Sequence, residues 1–342
     1  MADQQAQASM DQQAQRDRAA QARAYWIRFA IAAGAFIAIV LAVNALTGGI
    51  FLQPANLIRV LRQITYEAIL AFGQTFVIIT AGIDLSVGSL VSLTGVVMAL
   101  VANSLGLHGI ALVVVTLAAG LAVGALAGFI NAVPVVRLNL PPFITTLAMM
   151  MIALGLSLKL AGGRPVAVNS TDFQNIGVGF FLGSPVPNVV LWMLILGFFA
   201  SVLLTKTRFG RYVFALGGNE EAARLAGIAV ARVKTLVYVI SGICAAFVGF
   251  LLMALFSSGS PQTGTGDELL ESIAAVVVGG TSLAGGRGSI VGTFFGALLI
   301  GVLYNVMNLL NIESYTQKIV LGAVILIAVI LDELRKRLLS KA

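Results

Sequence analysis

The sequence predicts an all-α protein: a polytopic transmembrane helical bundle of about ten spans, with short broken helices and an approximate internal repeat. Three observations carry that reading. Hydrophobic residues fill 59% of the 342 positions and charged residues only 10%, whereas soluble domains carry roughly 25% charge. Mean hydropathy is +0.99, so one globular core cannot hide the apolar side chains and lipid must solvate most of them. Several apolar runs also reach the roughly 20 residues that a helix rising about 1.5 Å per residue needs to cross the hydrocarbon.

Residues 1–24, rich in Gln and Ala, lack the charge, apolar run and cleavage order of a secretory signal and read as a disordered cytoplasmic tail. The membrane domain then occupies 25–334, and a basic cytoplasmic tail, 335–342, closes the chain. In the first half, apolar runs mark spans at 29–46, 67–83, 88–103, 110–133, 143–160 and 189–205. Between the first two, LQPANLIRVLRQITY (52–66) puts Leu57, Ile58 and Leu61 on one face and Arg59, Arg62 and Gln63 on another. That spacing suits an interfacial helix capped by Asn56. A basic loop, 206–234, precedes three clear runs at 235–256, 289–310 and 316–331, and a short one at 269–283 containing Glu271. With the loop and the C-terminus on one side, parity requires the short run to cross too, which gives ten spans. The Gly-, Pro- and Asn-containing segment 161–188 then falls outside the cell, where an external partner would meet it.

Charge placement supplies the orientation. Arg16, Arg18, Arg23 and Arg28 precede the first span; Lys206, Arg208, Arg211, Arg224, Arg232 and Lys234 fall in the loop; Arg335, Lys336, Arg337 and Lys341 follow the last span. These are fourteen of the twenty-one Lys and Arg residues, and the positive-inside rule places both termini and the loop in the cytoplasm. The net charge of +7 therefore calls for no nucleic-acid partner. Cys244, the single cysteine, lies in an apolar run and excludes an intrachain disulfide. No metal-ligand spacing and no Ser, His and Asp constellation stands out, so neither a metal site nor hydrolysis is supported, and His108 reads as a solvated turn residue.

Two crossings run into glycine-rich backbone: AGIDLSVGS at 81–89 and GGTSLAGGRGS at 279–289. Broken helices at corresponding places in two halves point to a transport site, and purely structural turns are the alternative. Asp84 is the sharpest single residue, because a carboxylate at membrane depth is expensive. It suits a cap that fixes the turn, with Gly88, Gly285 and Gly286 as the structural glycines around the two breaks. For a neutral polyol, hydroxyl, amide and aromatic groups making weak contacts would line a path; the candidates are Tyr66, Phe72, Asn103, Asn131, Tyr304, Asn305 and Asn308, although polar side chains of this kind more often make interhelix hydrogen bonds than line a path. Asn305 and Asn308, three apart, share a helix face.

In the loop, NEEAARLAG reads as a short charged helix. Asn219 suits its N-cap, Glu220 and Glu221 its first turn, and Gly227 its stop, while Gly218 precedes it. Ala222, Ala223 and Ala226 offer a small flat face, and Glu220, Glu221 and Arg224 pair across its rim. By residues alone this is either a docking handle or a capped connector. TRFGRYVFALGGNEEAARLAGI (Thr207 to Ile228) resembles the cytoplasmic EAA loop of bacterial ATP-binding-cassette (ABC) importer permeases. Together with AGIDLSVGS and VVVGGTSLAGGRGSIVGTFFGALLIGV (276–302), it resembles the monosaccharide permeases of the ribose, xylose and galactose type, from about residue 56 to 331.

The resemblance implies a homodimer of ten-span permeases in the bacterial inner membrane. A cytoplasmic ATPase pair would lie beneath it, a periplasmic sugar-binding protein above, and the sugar would cross at the dimer axis by alternating access. The chain itself implies no cofactor. It contains no G-x-x-x-x-G-K-[ST], and Arg287 follows Gly280 to Gly286 where a phosphate-binding lysine would stand, so ATP and Mg belong to the partner and the chain is no enzyme. Two alternatives stay open. One is an ion-coupled secondary transporter with a proton on Glu67, Asp84 or Glu271; the other is an importer of this kind for an autoinducer, a nucleoside or a branched-chain amino acid.

Overall fold

The computed structural model of the chain describes residues 40–339. The N-terminal tail, most of the predicted first span (29–39) and the last three residues lie outside the described residues. The chain divides into two units, residues 1–57 and 58–342. In the first, helix α1 (described from 40 to 46) ends in a turn where Thr47 donates to the Val43 carbonyl at 2.9 Å and Asn44 Oδ1 accepts from Leu52 N at 3.1 Å.

The second unit holds the bundle. In order come α2 (Pro54–Ile79, which starts in the first unit), α3 (Val87–Ser104), α4 (Gly109–Arg137) and α5 (Pro142–Ala161). A loop segment with strand β1 (Val166–Ala167) and the one-turn α6 (Gln174–Gly177) leads to α7 (Asn188–Lys206), α8 (Arg208–Gly218) and α9 (Glu220–Leu225). Then follow α10 (Val230–Phe256), β2 (Ser258–Gly259), α11 (Glu268–Val278), α12 (Ile290–Leu309) and α13 (Ser314–Leu339). Among the described residues, α3, α4, α5, α7, α10 and α12 are long and apolar enough to cross a membrane, and α13 carries a shorter apolar stretch.

One expectation is corrected here. The interfacial helix at 52–66 and the span after it are a single helix, α2, and Asn56 is no cap: it lies inside the first turn and donates to the Phe51 carbonyl at 3.0 Å. No Gly or Pro interrupts 55–72, and Val60, Ile64 and Ala68 continue one buried stripe along it. The helix follows the stripe rather than the polar face.

α10 is the central post, with α4 and α3 packed most extensively against it. Glycine permits the α4 contact. A Cβ on Gly124 would stand 2.3 Å from the Gly242 carbonyl oxygen, and one on Gly242 would stand 2.1 Å from that of Gly124, so the two backbones touch directly, as small residues allow between membrane helices. Gly249 of α10 packs closely on α3 as well: a Cβ there would stand 2.7 Å from the Val91 carbonyl oxygen and 3.1 Å from Gly95 N.

Two interruptions interlock near the middle of this post. α2 stops at Ile79, Ala81 takes a left-handed φ of 57°, and α3 starts only at Val87. After α10, Ser257 is again left-handed (φ 47°), and a non-helical segment, 258–266, made of the strand β2 and a turn at 261–264, runs back along α3 before α11 begins. Left-handed backbone at a non-glycine residue costs on the order of 1 kcal/mol or more, so packing around each break must hold it.

Candidate functional site

Helices α8 and α9 form a capped peg at one end of the bundle. Thr207 Oγ1 accepts from Gly210 N at 3.2 Å to start α8, and Asn219 Oδ1 accepts from Ala222 N at 2.9 Å to start α9. Gly227, at φ 80°, ends α9: its N–H reaches the Arg224 carbonyl and that of Ile228 reaches Ala223, both at 3.0 Å, the paired bonds of a Schellman stop. Arg224 pairs with Glu220 at 3.5 Å and Glu221 at 3.8 Å. A shorter ion pair, Lys234 to Glu220 at 2.6 Å, ties the peg to α10.

The peg's small face differs from the expected one. Ala222 and Ala226 are exposed, but Ala223 is buried beneath them, because its side chain falls on the inner side of a helix of under two turns. Leu225 takes the outer position instead, at 82% exposure. A single leucine at the end of a short charged helix is a weak sequence signal, and burial alone separates the two faces. Glu220, Arg224 and Lys234 also line an open pocket with Asn139 at the end of α4.

Beneath the peg three main chains meet without a side chain between them. Gly286 N–H donates to the Ile79 carbonyl at 2.9 Å, joining the turn between α11 and α12 to the last residue of α2. Gly285 and Gly286 have φ of 83° and 73°, a region glycine enters freely. Gly217 of α8 closes the contact: a Cβ there would stand 1.7 Å from Ile79 O and 2.4 Å from Gly286 N. One turn higher in α2, Phe76 stacks on Phe209 of α8 at 6.2 Å. Gly218, the next residue, faces open space.

At the first break Asp84 is fully buried. Its Oδ1 accepts from Ser86 N at 3.0 Å and Ser86 Oγ at 2.6 Å, and its Oδ2 accepts from Ser241 Oγ at 2.8 Å, near the midpoint of α10. Gln74 Nε2 donates to the Asp84 carbonyl, and Asn131 Nδ2 donates to Ser86 Oγ at 2.8 Å. Helices α2, α4 and α10 thus converge on one turn. Gly88 does not belong to that turn. It sits in the first turn of α3, where a Cβ would stand 2.1 Å from the Gly264 carbonyl oxygen, so only glycine lets that backbone approach.

The other sequence candidates disperse. Phe72 is buried with its ring against Gly197 of α7, a packing contact. Asn103, exposed at the far end of α3, donates to Ala167 O at 2.7 Å and accepts from Asn169 N at 3.2 Å, and so anchors the 162–188 segment. Asn305 is buried on α12, whereas Asn308 is exposed and accepts from Gln317 of α13 at 2.8 Å; sharing a face by spacing gives them no shared environment. Tyr66 is half-buried on α2, and buried Tyr304 faces Glu271 and Glu67.

At that far end Asp172 Oδ2 accepts from Gly109 N at 2.9 Å and Ser170 Oγ at 2.8 Å. The Ser170 bond, with that of Gly109 N, holds its carboxyl below the ordinary carboxylate range. A depressed folded value means that the tie to α4 is complete above the ordinary pKa of about 3.9 and is lost as pH falls through the lowered one. Proteolytic nicking of 162–188 is therefore expected to rise only at strongly acidic pH, and Asp172→Asn to remove that dependence.

A helical bundle with irregular backbone at its centre, and a capped polar peg bound to the ends of its broken helices, defines a membrane transport subunit. The chain belongs to the family described as branched-chain amino acid transport system / permease component, which matches residues 56–329. It is 46% identical over 287 residues to the ribose import permease protein of Escherichia coli strain K12, covering 82% of this chain and 87% of that protein. With the ribose import permease protein of Bacillus subtilis strain 168 it shares 44% identity over 286 residues, covering 82% and 86%. With the L-arabinose ABC transporter permease protein of Azospirillum brasilense it shares 37% over 299 residues, covering 87% and 86%. No solved structure matches the chain.

Proposed function

We propose that this chain is the membrane permease of an ABC importer that admits a monosaccharide, a pentose or hexose of the ribose type. The observation that carries the reading is the 46% identity to a ribose import permease across most of both chains. The family description names branched-chain amino acids, but the path of a zwitterion calls for compensating charge. Among the described residues the ion pairs instead join the chain to itself at α9 and at Asp267–Lys318.

In this reading two copies enclose the path, a periplasmic binding protein delivers the sugar, and a cytoplasmic ATPase pair carries ATP and Mg. The chain sits in the bacterial inner membrane with both termini cytoplasmic, the coupling loop at 206–234 and the membrane domain at 25–334. Ten crossings follow if α1, α2 and α13 cross and if α11 completes a crossing together with the non-helical segment before it. α11 alone has 11 residues, about 16 Å of helix, against roughly 30 Å of hydrocarbon. Two helix–turn–helix units, α2–α3 and α11–α12, meet turn to turn at Ile79 and Gly286, which supports the approximate repeat.

The peg is the surface the ATPase works on. Exposed Leu225, with Ala222 and Ala226 beside it, fits an apolar pocket, and Glu221 and Arg224 fit a polar rim. Burial of such an anchor is worth on the order of 2 kcal/mol, so Leu225→Asp is expected to weaken ATPase binding by about 30-fold, measured by titrating the partner onto the solubilised permease. Glu221→Lys is expected to leave the chain inserted but uncoupled. Reconstitution with and without the ATPase tests the whole reading. ATP-dependent D-ribose uptake is expected, and proton-driven uptake by the chain alone would instead favour a secondary transporter using the facing carboxylates Glu67 and Glu271.

A further inference from the structure

The segment after α10, a two-residue strand followed by a turn at 261–264, is polar and folds back along α3. Its start is level with Gly95 of α3, since a Cβ on Gly259 would stand 2.4 Å from the Gly95 carbonyl oxygen. By Gly264 it has reached Gly88: a Cβ on Gly88 would stand 2.1 Å from the Gly264 carbonyl oxygen, and one on Gly264 would stand 2.4 Å from that of Gly88. Between these points Ser92 Oγ donates to Pro261 O at 2.9 Å. The seven-residue step along α3 is about 10 Å. It ends beside the Asp84 turn, which is itself bonded to the middle of α10.

One side of the segment is therefore pinned to α3, and the other is open. Gln262, Thr265 and Gly266 are exposed, while Pro261 and Gly264 are buried. Thr265 Oγ1 donates to Gln262 O at 2.8 Å, which makes a polar turn of the exposed side. Non-helical backbone near the centre of a membrane bundle persists only where protein or water covers it, because each unsatisfied amide in hydrocarbon costs several kcal/mol.

We propose that residues 260–266 line an aqueous passage and form a subsite for a neutral polyol, with the Gln262 amide and the Thr265 hydroxyl as its hydrogen-bonding groups. The set suits the cargo: an amide and a hydroxyl both donate and accept, as sugar hydroxyls do, and neutral groups hold weakly enough to release it. The inference rests on the importer reading and deepens it by naming where the sugar is contacted. Leu299, exposed on α12 in line with Val291 and Phe295, provides an apolar reference.

The test uses Gln262→Cys, Thr265→Cys and Leu299→Cys, each in a Cys244→Ala chain reconstituted with its ATPase, and a charged, membrane-impermeant methanethiosulfonate. Positions 262 and 265 are expected to react about tenfold or more faster than 299, because the reagent follows water, and excess D-ribose is expected to slow them. Unreactive 262 and 265 in vesicles that still take up D-ribose would overturn the passage. Fast reaction that D-ribose leaves unchanged, in those same vesicles, would overturn the subsite. The importer reading is tested separately by uptake through the unmodified chain, so the two failures differ.

Discussion

Replacing Gly217 by alanine is expected to cut sugar uptake at least about tenfold while leaving the chain inserted and bound to its ATPase; Gly218→Ala, one residue away, is expected to stay near wild type. The contrast follows from what each new methyl group meets. At Gly217 it would stand 1.7 Å from the Ile79 carbonyl oxygen and 2.4 Å from Gly286 N, whereas at Gly218 nothing lies within 4 Å. A side chain can turn away from an intruding methyl, but a main chain cannot, so the three segments must separate. Overpacking of this kind costs about 1–3 kcal/mol, and a loss of that size in the coupling between two sites changes linked affinities roughly 5- to 150-fold. Because Gly217 and Gly218 lead straight into the cap at Asn219, any displacement of the peg reaches the end of α2 and the α11–α12 turn through backbone alone. Uptake and sugar-stimulated ATP hydrolysis, measured on the same vesicles, separate uncoupling from loss of assembly. Equal uptake by the two variants would mean that force reaches the broken helices by another route.

Much of this arrangement was legible in the sequence because it depends on local rules. The α9 cap at Asn219 and its stop at Gly227 follow from side-chain and backbone chemistry within a few residues. The glycine-rich breaks at 81–89 and 279–289 were likewise visible, since only irregular backbone needs that composition in an apolar chain. What the spacing did not contain was how distant segments meet. The continuity of α2 through 66 depends on its stripe finding a buried environment, and the burial of Ala223 depends on which side of α9 faces the bundle. Asn103 and Asn131 are both amides in apolar runs, yet one anchors an exposed segment and the other the Asp84 turn. The polar segment SSGSPQTGTGD (257–267) was the available signal for the non-helical chain along α3, and its depth became readable only once Gly264 was seen against Gly88.

Asp84→Ala is expected to be among the most damaging single substitutions in the chain, and Asp84→Asn much milder. The alanine removes both acceptors of a fully buried side chain and leaves the donors of Ser86 and Ser241 without partners. Orphaned donors cost about 1–3 kcal/mol each, and the left-handed Ala81 beside them loses the turn that holds it. Asparagine keeps one carbonyl oxygen for Ser86 and turns its NH₂ toward Ser241, whose hydroxyl can accept in place of donating. Thermal unfolding in detergent should therefore show a large loss for alanine and a small one for asparagine, with uptake following the same order. A proton carrier at this position would give a different result, because asparagine cannot exchange a proton: Asp84→Asn would then fold normally and yet transport nothing. Retained ATP-dependent uptake by a normally folded Asp84→Asn chain would thus assign the carboxylate to the turn, and complete loss would remove it from a purely structural role.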